Sequence, residues 1–216
     1  MDCVIGKTSM KKVGIVALQG SFSEHANHIR EIGHIPVLVK KPADLNEIHA
    51  LILPGGESTT LGTLFRTTGL GQAIRGAILS RLPVWGTCAG MILLARKIKG
   101  EDTVHLGMMD IEVTRNAYGS QLNSFKSSIQ DADITGFPSF AKDSGCKNGF
   151  NTIDAIPLVF IRAPYIERCF GRAIPILTLN DEIVAARQDN MLVTSFHPEL
   201  TEDLRFHKWF INGAII

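Results

Sequence analysis

In its first half the chain alternates short apolar runs with longer stretches of helical spacing, and nothing else in the sequence restricts the fold so tightly. "KKVGIVAL" (Lys11 to Leu18) is rich in Val and Ile and closes on Gln19-Gly20, the pattern of a strand buried on both faces. "SFSEHANHIREIG" follows. Ser21 or Ser23 can cap a helix, Phe22, Ala26, Ile29 and Ile32 supply its apolar face, and Gly33 stops it. "HIPVLVK", "ALILPGG" and "LPVWGT" read as three more strands, "ESTTLGTLFRTTGLGQAIRGAILSR" as helix in two pieces, and "AGMILLARKI" as a further helix. Such alternation predicts βα units on a parallel sheet, with any site at the carboxyl ends of the strands.

The second half is richer in strands. "GMMDIEVTR" (Gly107 to Arg115), "PLVFIRAP", "AIPILTL", "EIVAARQ" and "NMLVTSF" are strand candidates, some of them hairpin partners. "DLRFHKWFINGAII" is expected to close the fold as a helix, with Leu204, Trp209, Phe210 and Ile211 as packing residues. Residues 126–155 are richer in Ser, Asp, Lys and Gly and read as a surface insertion. No linker divides the chain, so one domain is expected over residues 1–216.

Composition excludes several functions. A formal net charge of +1 argues against a nucleic-acid or anionic-membrane partner. No apolar run approaches the roughly 20 residues of a membrane span. "MDCVIGKTSMKK" lacks the apolar stretch of a signal peptide. Its "GKTS" has no upstream glycine and precedes the first strand, so it is not a P-loop. The cysteines, Cys3, Cys88, Cys146 and Cys169, form no CxxC pair, which fits a reducing, cytoplasmic compartment.

One cysteine sits where the pattern breaks. In "VWGTCAGMILLA" a strand ending at Thr87 and a helix starting near Ala89 leave Cys88 alone on the turn. Gly86 and Gly90 let the chain pack closely around it, the logic of a G-x-S-x-G nucleophile elbow with Cys in place of Ser. The sulfur would point out of the sheet at a helix N-terminus, where free amides favour a thiolate. Cys3, Cys146 and Cys169 have no such setting and read as ordinary core cysteines.

A cysteine nucleophile needs a base. His25-x-x-His28 is a weak metal signal, His34, His49 and His105 lie near element ends, and His207 is in the last helix; all six read as surface or packing residues. His197 differs, because it closes the strand "NMLVTSF" and is pinned by Pro198. Glu199 lies two residues on; in an extended segment it would share a face with His197, accept a hydrogen bond from the imidazole and fix its tautomer. "LPGGEST" (Leu53 to Thr59) completes the set. The amides of Gly55 and Gly56, with that of Ala89, can hold the oxyanion of a tetrahedral intermediate.

In this order the pieces resemble a class I (triad) glutamine amidotransferase domain, and more closely the glutaminase-subunit family of pyridoxal 5'-phosphate synthases (PdxT/SNO). The segments that carry the resemblance are "VGIVALQGSFSEH", "LILPGGESTT", "WGTCAGMILLA", "LGMMDIEVTRNAYGSQLNSF", "FIRAPYIE" and "SFHPELTED". It implies a three-layer α/β sandwich with a mostly parallel central sheet and the elbow at a strand–helix junction. It also implies hydrolysis of L-glutamine to L-glutamate and ammonia, with Cys88 as nucleophile, His197 as general base and then acid, and Glu199 as its orienter. Gly56, Glu57 and Ser58 match the family's glutamine-contacting loop, Arg115 a second contact, and Ile161 with Arg162 a third. The ammonia would pass to a (β/α)8-barrel synthase subunit that builds pyridoxal 5'-phosphate from ribose 5-phosphate and glyceraldehyde 3-phosphate, and this partner would activate the glutaminase. The chain itself would need no metal or organic cofactor. Two departures stand out: Ser120 where many relatives carry Arg, and a 126–155 stretch longer than in compact bacterial members. Competing readings are a glutaminase serving another synthase, a cysteine hydrolase of the PfpI type, which usually has histidine at or near the residue after the elbow cysteine where this chain has Ala89, and a catalytically silent binding module.

Overall fold

The computed structural model describes residues 10–115, 124–129 and 155–212. The apolar runs of the first half form β1 (Lys12–Val16), β2 (Ile35–Val39), β3 (Ala50–Leu53) and β4 (Val84–Thr87), separated by α1 (Phe22–Glu31), α2 (Ser58–Thr68) and α3 (Leu70–Leu79). All three pairings among these strands are parallel, with Val13 opposite Ala50 and Leu51 opposite Val84. The helix predicted in two pieces breaks at Gly69, whose φ of 73° is left-handed backbone that glycine tolerates best.

The later elements are α4 (Ala89–Leu94), β5 (Ala95–Ile98), β6 (Met109–Thr114), β7 (Ser124–Ile129), β8 (Ile156–Ile161), β9 (Tyr165–Cys169), β10 (Ile174–Leu179), β11 (Glu182–Gln188), β12 (Met191–Thr194) and α5 (Arg205–Ile211). One sheet runs β2-β1-β3-β4-β12-β11-β9-β6-β5, with β10 on β11; β7 and β8 form a separate antiparallel hairpin. The β10–β11 turn uses Asn180 and Asp181, both at positive φ (50° and 66°), as a tight hairpin between right-twisted strands requires.

Alternate side chains of the central strands enter opposite layers. Leu51, Leu53, Val84, Met191 and Val193 pack with Leu61, Phe65 and Ile74 of α2 and α3. Ala50, Ile52, Trp85 and Leu192 pack with Ala26 and Ile29 of α1 and with Phe206, Trp209 and Phe210 of α5. This is the expected three-layer α/β arrangement. Each fully buried Leu, Ile or Val contributes about 1.5–3 kcal/mol, so both apolar layers stabilise the sheet between them. Among the described residues, no helix is long and apolar enough to cross a membrane.

The structure departs from the sequence-based expectations at several points. The helix expected over "AGMILLARKI" ends at Leu94; Ala95 turns extended and Ala95–Ile98 become β5, paired in parallel with β6, because the sheet edge takes up their backbone groups. Strands β7 and β9 were absent from the sequence reading. Of the 126–155 stretch, Lys126 to Ile129 lie in β7, Ala155 precedes β8, and residues 130–154 lie outside the described residues, as do Cys3, Ser120 and Cys146. Among the expected packing residues of the closing helix, Trp209, Phe210 and Ile211 are buried, whereas Leu204 is half-buried at its N-cap.

Candidate active site

Four strands end at one cavity of about 500 Å³, lined by Gln19, Gly20 and Ser21 after β1, Gly55 to Ser58 after β3, Cys88 and Ala89 after β4, and His197 after β12. Arg115, Ile161, Arg162, Pro164 and Leu200 complete its wall. Parallel strands bring their carboxyl ends to one edge, which is why residues far apart in sequence meet there.

Cys88 occupies a strained turn. Its φ of 48° and ψ of −104° are rare for a residue with a side chain, and such strain concentrates at functional sites. The flanking glycines are required by contact. A Cβ on Gly86 would lie 2.6 Å from the Gly90 carbonyl carbon, and one on Gly90 would lie 2.0 Å from the Leu53 oxygen. The Cys88 amide donates to the Thr194 carbonyl of β12 at 2.8 Å, and the Ile161 carbonyl oxygen is 4.0 Å from its sulfur. Cys169, by contrast, is pushed up to about 11 by burial alone.

His197 is buried beside Cys88, and its Nδ1 lies 2.8 Å from Glu199 Oε1. The contact is made by a different local geometry from the one expected, since Pro198–Leu200 is a 3-10 turn with His197 at its start and the segment is not extended. Burial opposes a charge on His197, but its contacts with Cys88 and Glu199 outweigh this and push its pKa up to about 10. Burial likewise opposes the Glu199 carboxylate; the neighbouring His25, His197 and Ser21 reverse that and hold it at about 2.

The sequence reading missed this support around Glu199. Ser21 sits at the N-cap of α1 but makes no side-chain capping bond; its hydroxyl donates to Glu199 Oε1 at 2.6 Å. His25, His28 and His207 are buried behind Glu199 and bonded to one another. One signal was available: histidine at His25 and His28 falls on the same helical face as Ala26 and Ile29, the face expected to be buried.

Gly55 lies between the side chains of Cys88 and His197. A Cβ there would be 2.4 Å from His197 Cε1 and 3.5 Å from the Cys88 Cβ. The Gly55 carbonyl accepts from the Ser21 amide at 3.2 Å, and across a trans peptide the Gly56 N–H points the opposite way. Glu57 caps α2, accepting from the amides of Thr59 (3.0 Å) and Thr60 (2.7 Å). Its own amide donates to Gln19 Oε1 at 2.7 Å. Ser58 is buried at the start of α2. Arg115 is not idle: its guanidinium contacts Glu101 at 3.1 Å and Glu57 at 3.3 Å, so a carboxylate ligand would share it with these two. Arg162, at a φ of 45°, also lines the cavity.

This sheet, with a cysteine elbow on one strand and a His-x-Glu turn after its neighbour, is the class I glutamine amidotransferase fold. A crystal structure of a glutamine amidotransferase superposes with a TM-score of 0.81 at 37% identity, over 94% of this chain and 99% of that one. The structure of PurLQS from Thermotoga maritima, 16% identical with a TM-score of 0.61 over 94% of this chain and 99% of the matched one, shares the fold alone. The chain belongs to the SNO glutamine amidotransferase family, whose pattern matches residues 15–215. It is 48% identical to the pyridoxal 5'-phosphate synthase subunit PdxT of Clostridium beijerinckii, over 94% of this chain and 97% of that one. It is 47% identical to the PdxT of Streptococcus pneumoniae, over 93% and 96%.

Proposed function

We propose that this chain is a single glutaminase domain that hydrolyses L-glutamine to L-glutamate and ammonia and delivers the ammonia to a (β/α)8-barrel pyridoxal 5'-phosphate synthase subunit in the cytoplasm. The observation that carries the chemistry is the strained Cys88 elbow opening on the same cavity as a His197–Glu199 pair at 2.8 Å. The relatives' names carry the pathway.

Cys88 passes its thiol proton to His197 and attacks the side-chain amide carbon of glutamine, and the amide oxygen becomes an oxyanion held by backbone amides from Gly55, Gly56 and Ala89. His197 gives that proton to the amide nitrogen as the C–N bond breaks, and ammonia leaves. Water then attacks the thioester, neutral His197 takes its proton, and the C–S bond breaks to release glutamate. His197 thus acts as general base and then as acid, and returns its last proton to the Cys88 sulfur. Gly56, Glu57, Ser58, Arg115, Ile161 and Arg162 surround the bound glutamine, with Arg115 suited to its carboxylate.

Docking of the synthase partner activates the site. The peptide between Gly55 and Gly56 is held by one bond from Ser21, so turning it costs only about 0.5–1.5 kcal/mol. Ile161 and Leu200 leave apolar surface at the cavity mouth where a partner docks. The test is glutaminase turnover with and without excess synthase subunit. Turnover should rise on addition, and the Cys88→Ala chain should show none in either case. Equal rates would remove the activation. Activity surviving Cys88→Ala would remove the nucleophile. Ammonia accepted equally by an unrelated synthase would remove the pathway.

A further inference from the structure

Behind Glu199 lies a string of three buried histidines that the reaction as written does not use. His25 and His28 come from α1 and His207 from α5. His25 Nδ1 is 2.8 Å from His207 Nε2, and His207 Nδ1 is 3.2 Å from His28 Nδ1. At the inner end His25 Nε2 lies 3.4 Å from Glu199 Oε2 and 3.3 Å from Thr87 Oγ1. Glu199 Oε1 is doubly served, by His197 and Ser21, whereas no hydrogen bond closes on Oε2 among the described residues, although that atom is buried. Nor, among those residues, does any group of three His, Cys, Asp or Glu side chains have the disposition of a metal site.

An ionised carboxylate oxygen buried without a donor costs free energy, and a ring nitrogen facing it with a lone pair would cost more. The charge on Glu199 therefore selects the tautomer of every ring in the string. His25 must present Nε2–H to Oε2, which leaves Nδ1 as an acceptor. His207 must then donate through Nε2–H and accept at Nδ1, and His28 must donate through Nδ1–H. His28 also faces the backbone of Thr201, but a neutral ring can donate to only one of the two, and the carboxylate decides for His207. The charged groups around the string are Glu24 and Glu31 of α1, His197 and Glu199 after β12, and Asp203 ahead of α5.

We propose that His25 is a positioning residue for the His197–Glu199 pair: its Nε2–H serves Glu199 Oε2, and His207 with His28 behind it fixes that tautomer. Ser21 and His25 then hold the carboxylate from two sides, so that Oε1 stays aimed at His197 Nδ1. Burial drives His25 down to about 4, with Glu199 opposing, so the ring donates as a neutral imidazole at working pH. A full positive charge beside Glu199 would instead compete with His197 for it.

The inference rests on the glutaminase reading for its rates but not for its structure, and the test separates the two. Nitrogen NMR of the full wild-type chain reads the tautomers directly. The expected pattern is Nε2–H for His25 and His207 and Nδ1–H for His28; an Nδ1–H tautomer at His25 overturns the proposal whatever the chain hydrolyses. In complex with the synthase subunit, His25→Leu should lower kcat for glutamine about tenfold or more and leave KM within about twofold, the size typical of an outer support to a reactive group. His25→Gln, whose amide can donate to Oε2 and accept from His207, should recover kcat to within about threefold of wild type. Equal losses in the two variants, or wild-type kcat in a folded His25→Leu chain, overturn the role. Alkylation of Cys88 by chloroacetamide, followed against pH, needs no glutamine turnover. Its profile should shift in His25→Leu and stay near wild type in His25→Gln; coincident profiles in all three proteins overturn the coupling to His197.

Discussion

Two glycine turns flank the cavity and are built differently. At the elbow, backbone meets backbone: a Cβ on Gly90 would strike the Leu53 oxygen and one on Gly86 would strike Gly90 itself. In the loop after β3, backbone meets side chain: a Cβ on Gly55 would strike the His197 ring, and one on Gly56 would lie 2.6 Å from Gln19 Oε1. The first turn cannot yield unless β3 and α4 separate. The second yields when a side chain rotates. The proposed nucleophile is thus mounted on the rigid turn, while the candidate oxyanion amides of Gly55 and Gly56 sit on the compliant one, which packs against the side chains of His197 and Gln19.

The largest effect should come from the rigid side. Gly90→Ala has no flexible atom to displace, and it should cost about 3 kcal/mol, the upper end for overpacking, with a matching fall in the urea midpoint. A loss below about 1 kcal/mol would break the contrast. Gly55→Ala should do the reverse. Stability should fall by only about 1 kcal/mol, because the His197 ring can swing away, yet turnover should drop about 10²-fold through that misplacement. Comparable stability losses in the two variants would show that the loop is as rigid as the elbow.

The pH dependence sharpens the same point. The folded pKa of His197, about 10, stands above its ordinary 6.5. Its contribution to stability is therefore complete below pH 6.5 and is lost as the pH rises from there towards 10. Urea midpoints at pH 6 and pH 10 should show this alkaline loss in the wild type and, smaller by no more than about 1 kcal/mol, in Gly55→Ala. His25 has the opposite sign: with its folded pKa lowered to about 4, its contribution is present above 6.5 and lost as the pH falls towards 4, in both proteins alike. The smallest effect is expected from Gln19→Ala, which removes the acceptor of the Glu57 amide. It should raise KM for glutamine a fewfold, about the worth of one exposed hydrogen bond, with kcat and the urea midpoint nearly unchanged.

The parallel half of the fold and the Gly55–Gly56, Cys88 and His197–Glu199 pieces were legible in the sequence because each is written locally, whereas Arg115, Ile161 and Arg162 came only from the family resemblance, and Gln19, Gly20 and Leu200 of the cavity wall were not singled out. Continuous apolar runs mark β1, β3 and β4, and two glycines around Cys88 mark a close approach. What escaped depends on tertiary pairing. "ARKI" continues a helical pattern and becomes β5 only because β6 offers hydrogen bonds to it, and "YIERC" forms β9 between β11 and β6 with little apolar signal of its own. Ser21 is the instructive residue. It is one of the two serines, with Ser23, expected to cap α1, and it takes the N-cap position, but its hydroxyl makes no capping bond and serves Glu199, 178 residues away. The triad partners could be proposed from motif and order; Ser21, His25 and His207 could not, since nothing in their own neighbourhoods announces a carboxylate.

The place of β12 in the sheet also sets a schedule. It lies between β4 and β11, and the indole of Trp85 donates to the Thr194 hydroxyl across 109 residues of chain. On a ribosome adding about 5–20 residues each second, β4 waits on the order of ten seconds for that neighbour. Through that interval it is an unprotected sheet edge, open to pairing with the wrong strand. Cys88, the proposed nucleophile, is synthesised early and His197, its proposed proton partner, late, so on that proposal a nascent chain cannot release ammonia before its sheet has closed.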